Sequence, residues 1–113
     1  MDLASILGAI RERVVGSVDE KGFDSDLIMH INSAFADLND IGVGPKEGFE
    51  IEDDTSEWTE FVEDPVVRNS VQEFVYLSVK LNFDPPANAA LLNSTQNRYA
   101  KLEWKLNAKC DTT

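Results

Sequence analysis

The spacing of apolar residues predicts helices along most of the chain, and the strongest pattern lies in residues 64–86. Asp64 suits a helix N-cap, Pro65 suits the first helical position, and the Asp84-Pro85-Pro86 corner cannot continue a helix. A helix that is apolar on more than one face is buried on more than one side, so we predict that this segment is the central helix of a bundle. Its apolar positions include Val66, Val67, Val71, Phe74, Val75, Leu77, Val79 and Leu81.

Two helices are predicted before the central one. Residues 2–15 carry one apolar stripe at helical spacing, and Asp2 can cap their first turn. A second helix is predicted from Asp24, where Phe23 before the cap and Ile28 after it would form a hydrophobic staple. Its apolar stripe consists of Leu27, Ile28, Ile31, Ala34, Phe35 and Leu38.

A loop is predicted between the second helix and the central one, at residues 46–57. Phe49 and Ile51 alternate there with acidic residues, which is compatible with a short strand-like piece. Asp54 and Glu57 are three positions apart and resemble a capping box. They would begin a helix of two turns that carries Trp58, Phe61 and Val62.

The last predicted helix, residues 87–109, is long, and residues 110–113 follow it as a tail. Strands are nearly absent, so we predict an all-α fold in one domain spanning residues 1–113. Its architecture would be a small bundle of four main helices plus one short helix. The seam of the last helix is formed by Leu91, Leu92, Thr95, Tyr99, Leu102 and Leu106, and Trp104 lies off it.

The chain is strongly acidic, with a formal net charge of −11. This excludes a general basic surface for nucleic acid, since phosphate neutralisation requires Lys and Arg. Strong acidity favours solubility, a basic partner, or a surface that DNA must not adhere to. There is no apolar run of about 18 residues and no signal sequence, so we expect a soluble protein made in the cytoplasm, without a membrane partner.

The residues needed for catalysis or metal binding are scarce. His30 is the single histidine and Cys110 the single cysteine, so one chain cannot form an internal disulfide or a zinc site built from several Cys and His ligands. The carboxylates around Asp53-Asp54 lack the spacing of a calcium loop, and the glycines do not form a phosphate-binding loop. We therefore predict no enzyme activity, no catalytic residue, no metal site and no cofactor.

The charged residues are segregated along the chain. Nine acids and no base lie between Glu47 and Asp64, whereas the last helix has four bases against Glu103. Two solvated surfaces would explain this pattern. Alternatively, the acidic face of one copy meets the basic face of the next.

Trp58 could anchor such a contact or pack in the core, and both interpretations stay open, while Phe61 is predicted to be core. The candidate interface residues are Trp58, Arg98, Lys101 and Lys105, and the candidate acidic contact residues are Glu50, Glu52, Asp53, Asp54, Glu57 and Glu60.

Three stretches together resemble a known family. They are FDSDLIMHINSAFADLNDIGVGP from Phe23, WTEFVEDP followed by VYLSVKLNFDPP, and the closing NRYAKLEWKLN from Asn97. In this order they resemble the small head–tail connector proteins of tailed bacteriophages and prophages, also called head-completion or adaptor proteins. Each stretch alone is mostly helix punctuation and apolar pattern, whereas their order and spacing over most of the chain are more specific.

The resemblance implies a structural role in the virion. Such proteins are small helical subunits that form a ring, commonly of twelve copies, beneath the portal. The ring extends the DNA channel and offers a platform to the next connector or tail component. DNA would pass through without specific binding, and an acidic wall would favour this because cations would hold the phosphates. Under the resemblance, the acidic contact residues would line the channel or meet a neighbouring subunit, and the interface residues would contact another subunit or the portal. The implied partners are the portal protein, the next connector or tail component and other copies of the chain, which we expect to stay monomeric until they meet the portal. The implied location is the virion head–tail junction, after synthesis in the bacterial cytoplasm.

Two other classes of function are alternatives to a connector. An acidic binding module, such as a DNA mimic, would need carboxylates spread over a wide surface at phosphate-like spacing. Here the carboxylates concentrate in one loop and one short helix, which argues against this class. A small hydrolase or metal-dependent enzyme has the least support, because the required side chains are missing.

Overall fold

Five α-helices build the part of the chain that the computed structural model describes, which is residues 5–17 and 19–110. Within these residues there is no strand, and one isolated antiparallel bridge joins Ser5 to Glu57. The prediction of an all-α fold with four main helices and one short helix is confirmed. The helices are α1 (Ile6–Val14), α2 (Asp24–Asp40), α3 (Trp58–Phe61), α4 (Pro65–Phe83) and α5 (Ala89–Cys110).

Helix α4 lies at the centre and packs against each of the other four helices. Its start follows the sequence signals, since the Asp64 side chain accepts a hydrogen bond from the Val66 N–H at 2.9 Å and Pro65 is the first helical residue. The predicted two-sided burial is confirmed, because few outward positions remain on a helix with neighbours on several sides. The buried residues are Val67, Val71, Phe74, Val75, Leu77, Ser78 and Val79.

Helix α1 begins later than predicted. Ser5 is its N-cap, and the Ser5 hydroxyl accepts a hydrogen bond from the Gly8 N–H at 3.1 Å. The proposed cap Asp2 lies outside the described residues. The helix ends at Val14, followed by Gly16 with a φ of +90°, a value that suits glycine because it lacks a Cβ.

Helix α2 starts at Asp24 as predicted, but Asp24 does not cap it. Its carboxylate instead accepts two hydrogen bonds from Arg11, at 2.9 Å from Nε and 2.7 Å from Nη2. Arg11 is only 3% exposed, and the hydrogen bond to Asp24 raises the pKa of its guanidinium. Phe23 packs edge to face on Phe83, with 5.5 Å between the ring centroids. The charge pair therefore links α1 to α2 where the sequence suggested only a cap.

The loop after α2 has no strand-like piece at Phe49 and Ile51. Ile51 is buried, and its backbone pairs with the Asn32 side chain: the Ile51 N–H donates at 2.8 Å, and its carbonyl accepts from Asn32 Nδ2 at 3.0 Å. Phe49 packs edge to face on Phe35 and Phe61. The period-two alternation was real, but an amide side chain takes the place of a second strand.

The predicted capping box at Asp54 and Glu57 was wrong by three residues. The Ser5 hydroxyl donates to the Asp54 carbonyl at 2.8 Å, so this part of the loop is held against the start of α1. Glu57 becomes the N-cap of α3, and the Glu60 carboxylate accepts a hydrogen bond from the Glu57 N–H at 2.7 Å. The helix that follows has one turn rather than two.

Helix α5 extends one residue further than predicted, through Cys110, and residues 111–113 lie outside the described residues. Leu102 and Leu106 are fully buried, but Leu91 is 56% exposed and does not belong to the seam. Because α5 packs mainly on α4, it has one covered face, and the adjacent Leu91 and Leu92 cannot both lie on it.

Phe74→Ala is expected to lower the free energy of unfolding by about 3–5 kcal/mol, because Phe74 is fully buried and its ring stacks on Tyr99 at 4.7 Å between centroids. Urea denaturation followed by circular dichroism measures the change. A loss below about 1 kcal/mol would contradict the central position of α4.

Asp24→Ala is expected to cost about 2–3 kcal/mol, and Arg11→Met clearly less. The first variant removes the carboxylate that faces a buried guanidinium, whereas the second removes the buried charge and leaves a carboxylate that is 24% exposed to water. Denaturant unfolding of the two variants side by side tests this order. The reverse order would show that the aliphatic packing of Arg11 matters more than its charge.

Candidate assembly surfaces

The acidic segment, residues 47–64, has a fixed backbone and exposed side chains. The Asn32–Ile51 pair holds its middle on α2, and the Ile6 N–H donates to the Ser56 carbonyl at 3.0 Å. Buried Ile51 and Trp58 anchor it further. The structure thus presents a carboxylate surface in a defined position. All six predicted acidic candidates are exposed: Glu50, Glu52, Asp53, Asp54, Glu57 and Glu60.

Local hydrogen bonds order part of this surface. The Asp53 carboxylate accepts from the Thr55 hydroxyl at 2.5 Å and from the Thr55 N–H at 2.9 Å. These bonds hold the pKa of Asp53 below its usual range. Within residues 5–17 and 19–110, no group of three or more acidic, His or Cys side chains has the arrangement to bind a metal ion.

The basic stripe on α5 consists of Arg98, Lys101, Lys105 and Lys109, and all four side chains are exposed. Arg98 forms a two-point ion pair with Glu73 on α4, at 2.7 Å from Nε and 2.8 Å from Nη2. This bond lowers the pKa of Glu73, with smaller effects from Arg13 and Lys105. Arg98 thus holds α5 on α4, while the side chains of Lys101 and Lys105 are exposed to solvent.

Trp58 lies in the core. It is 3% exposed, and its ring packs against Phe35 with 6.4 Å between centroids. Trp58 is therefore a core residue and not an exposed anchor of a subunit contact. The same holds for Phe61, as predicted, because its ring lies against Phe35 at 4.5 Å. Phe61 also lies so close to Gly44, whose φ is +88°, that a side chain there would overlap the ring.

Sequence reasoning missed two surface features. Trp104 on α5 is 71% exposed, and its position off the apolar seam was the available signal. A groove of about 250 Å³ also opens between α1, α3 and α4. No pattern within one segment could reveal it, because three separate elements contribute its walls. It is lined by Ala9, Ile10, Glu12, Arg13, Trp58 and Gln72.

The fold and these surfaces define a class of protein: a small acidic helical protein with exposed carboxylates on one segment and exposed bases on another helix. No described helix is long and apolar enough to cross a membrane. A family model for the phage connector proteins matches residues 6–113. The chain belongs to the phage connector protein family. Neither the curated proteins nor the solved structures contain a match to this sequence.

Family membership confirms the resemblance found in the sequence. It indicates a structural rather than an enzymatic role, at the head–tail junction of a bacteriophage virion, in contact with portal or tail components.

Glu73→Gln is expected to lower the free energy of unfolding at pH 7 slightly, because an ion pair exposed to water contributes little to stability. Because Arg98 lowers the pKa of Glu73, the stabilisation is present above the ordinary carboxyl pKa of about 4.3 and is lost as pH falls through the lower folded value. The difference between the wild type and the variant should therefore shrink as the pH falls below about 4.3. Thermal unfolding between pH 3 and 7 measures this, with Glu52→Gln as the control for net charge. A constant difference down to pH 3 would contradict the assignment.

Proposed function

We propose that this chain is a subunit of a ring that docks beneath the portal of the filled capsid, extends the DNA channel and forms the platform for the next connector or the tail. Family membership supports the connector role. The observation that carries the finer proposal is the segregation of charge on a rigid helical scaffold. The acidic segment is bonded to α1 and α2, and the basic stripe lies on α5.

Segregated charge favours repeated head-to-tail association. When the acidic surface of one copy contacts the basic surface of the next, the pair still exposes one basic surface on the first copy and one acidic surface on the second. A heterologous contact of this kind closes into a ring when the rotation between subunits permits. The net charge of −11 disfavours random association of free subunits, because like charges repel at long range. Assembly on a portal template overcomes this repulsion, so free subunits stay monomeric.

The same charges suit a channel through which DNA slides. Carboxylates such as Glu50, Glu52 and Asp53 form no counterion-releasing contacts with phosphate, so a wall that carries them lets DNA pass without specific binding. In this arrangement the basic stripe contacts protein, either the next subunit or the portal. The acidic segment lines the channel or meets the neighbouring subunit.

Reversing the charge of Lys101 and Lys105 together, by Lys101→Glu and Lys105→Glu, is expected to prevent ring assembly on the cognate portal. Native mass spectrometry of the chain mixed with portal oligomers counts the bound copies. Lys21→Glu with Lys46→Glu changes the net charge equally, at two other exposed positions, and should assemble normally. Unchanged assembly of the first variant would remove the basic stripe as a contact. Failure of the wild type to assemble on the portal would overturn the ring itself.

A further inference from the structure

The exposed Trp104 is the most conspicuous apolar group on the surface. Its side chain is 71% exposed, and it is flanked one helical turn away on either side by the small residues Ala100 and Ala108. A large aromatic ring between small residues forms a knob with room for a partner around it. Such residues commonly dominate the energetics of protein interfaces.

The groove between α1, α3 and α4 has a matching character. Ala9, Ile10 and Trp58 contribute apolar wall, and its volume of about 250 Å³ is below the roughly 300–1,000 Å³ of pockets for drug-sized ligands. It suits a single large side chain. Trp58 also carries the one buried side-chain nitrogen or oxygen without a hydrogen-bond partner among the described residues, its Nε1. A buried donor of this kind ordinarily has an acceptor.

The knob and the groove lie on different faces of the protomer. On α4, Phe74 stacks on Tyr99 of α5, whereas Gln72, two positions earlier and about 200° around the helix, lines the groove. On α5, Leu102 is buried, and Trp104, about 200° away from it, lies beside Ile41 at the end of α2 and does not line the groove. One copy therefore leaves both features available to its neighbours, as a head-to-tail contact requires.

The charges beside the two features are complementary. On α5, Lys101 and Lys105 lie to one side of Trp104 and Glu103 to the other. The groove is lined by Arg13 and Glu12 and adjoins α3, on which Glu60 is exposed. Both signs thus occur at both features. Complementary potentials favour one orientation of docking and disfavour others.

We infer that Trp104 of one copy inserts into the α1–α3–α4 groove of the next copy, with Lys101 and Lys105 toward Glu60 of α3 and Glu103 toward Arg13. This contact rests on the proposed ring and specifies its subunit interface. The partner is a second copy of this chain, because the groove and the knob on one molecule lie on different faces and complement each other in size and charge.

Trp104→Ala tests the knob. Truncating an aromatic anchor is expected to weaken ring assembly on the portal about tenfold or more in subunit concentration, with an unchanged thermal midpoint of the free subunit. The control is Met29→Ala on α2, which removes a side chain that is 56% exposed and should assemble like the wild type. Titrations of the subunit onto portal rings, read by native mass spectrometry, give both values.

Disulfide formation between two variants tests whether the residues around Trp104 lie beside the groove of the neighbouring subunit. In a Cys110→Ser background, Ala100→Cys flanks the knob without removing it, and Gln72→Cys places a thiol at the groove. Mixed on the portal and mildly oxidised, these two variants should form a covalent dimer. Ala100→Cys mixed with Lys46→Cys, in the same background, should not.

The outcomes separate the contact from the ring. If Trp104→Ala forms rings at the same concentration as the wild type, and the Ala100→Cys and Gln72→Cys variants do not cross-link, this contact is overturned and the proposed ring is retained. Loss of assembly in Trp104→Ala, with Ala100→Cys cross-linking to the portal instead of the groove, overturns it in favour of a portal contact. Absence of wild-type rings overturns the proposed ring and this contact together.

Discussion

The burial of α4 on several sides is the constraint on which the rest of the structure depends. Hydrophobic burial is the main favourable contribution to folding, and α4 supplies apolar surface to all four neighbouring helices. Its Asp64-Pro65 start and its stop before Asp84-Pro85 therefore set both its length and the directions in which the chain enters and leaves. The acidic segment precedes this helix and the basic-striped helix follows it, so α4 sets the relation between the two charged surfaces.

Polar bonds between distant residues complete the scaffold. Arg11 with Asp24 joins α1 to α2, Asn32 holds Ile51, and Ser5 holds Asp54. Each of these bonds fixes a helix or loop segment on another part of the fold in addition to its apolar packing. The acidic segment has few apolar residues, yet its backbone is held on two helices. A surface fixed in this way loses little conformational freedom when it meets a partner, which favours assembly.

Family membership and the surfaces lead to one picture of a connector subunit. The charges are segregated, Trp104 is exposed on α5, and a groove opens between α1, α3 and α4. In the proposed ring of identical subunits, each of these features would have a function as a contact. The single His30 is half-buried and lies near Phe83, with 6.3 Å between ring centroids.

Local sequence determined the elements of this protein, and tertiary structure decided the site. Apolar periodicity, Pro65 and the Pro85-Pro86 corner were sufficient for the helices and the all-α class, because these depend on neighbours along the chain. The apolar positions on more than one face of α4 also indicated that other helices surround it. The Asp24 carboxylate accepts hydrogen bonds from Arg11 instead of capping α2, and the capping box begins at Glu57 rather than at Asp54. In both places, residues distant in the sequence bond groups that a local pattern had assigned to a helix cap. The burial of Trp58, the exposure of Trp104 and the groove depended on how separate helices meet. No periodicity within one helix specifies that arrangement.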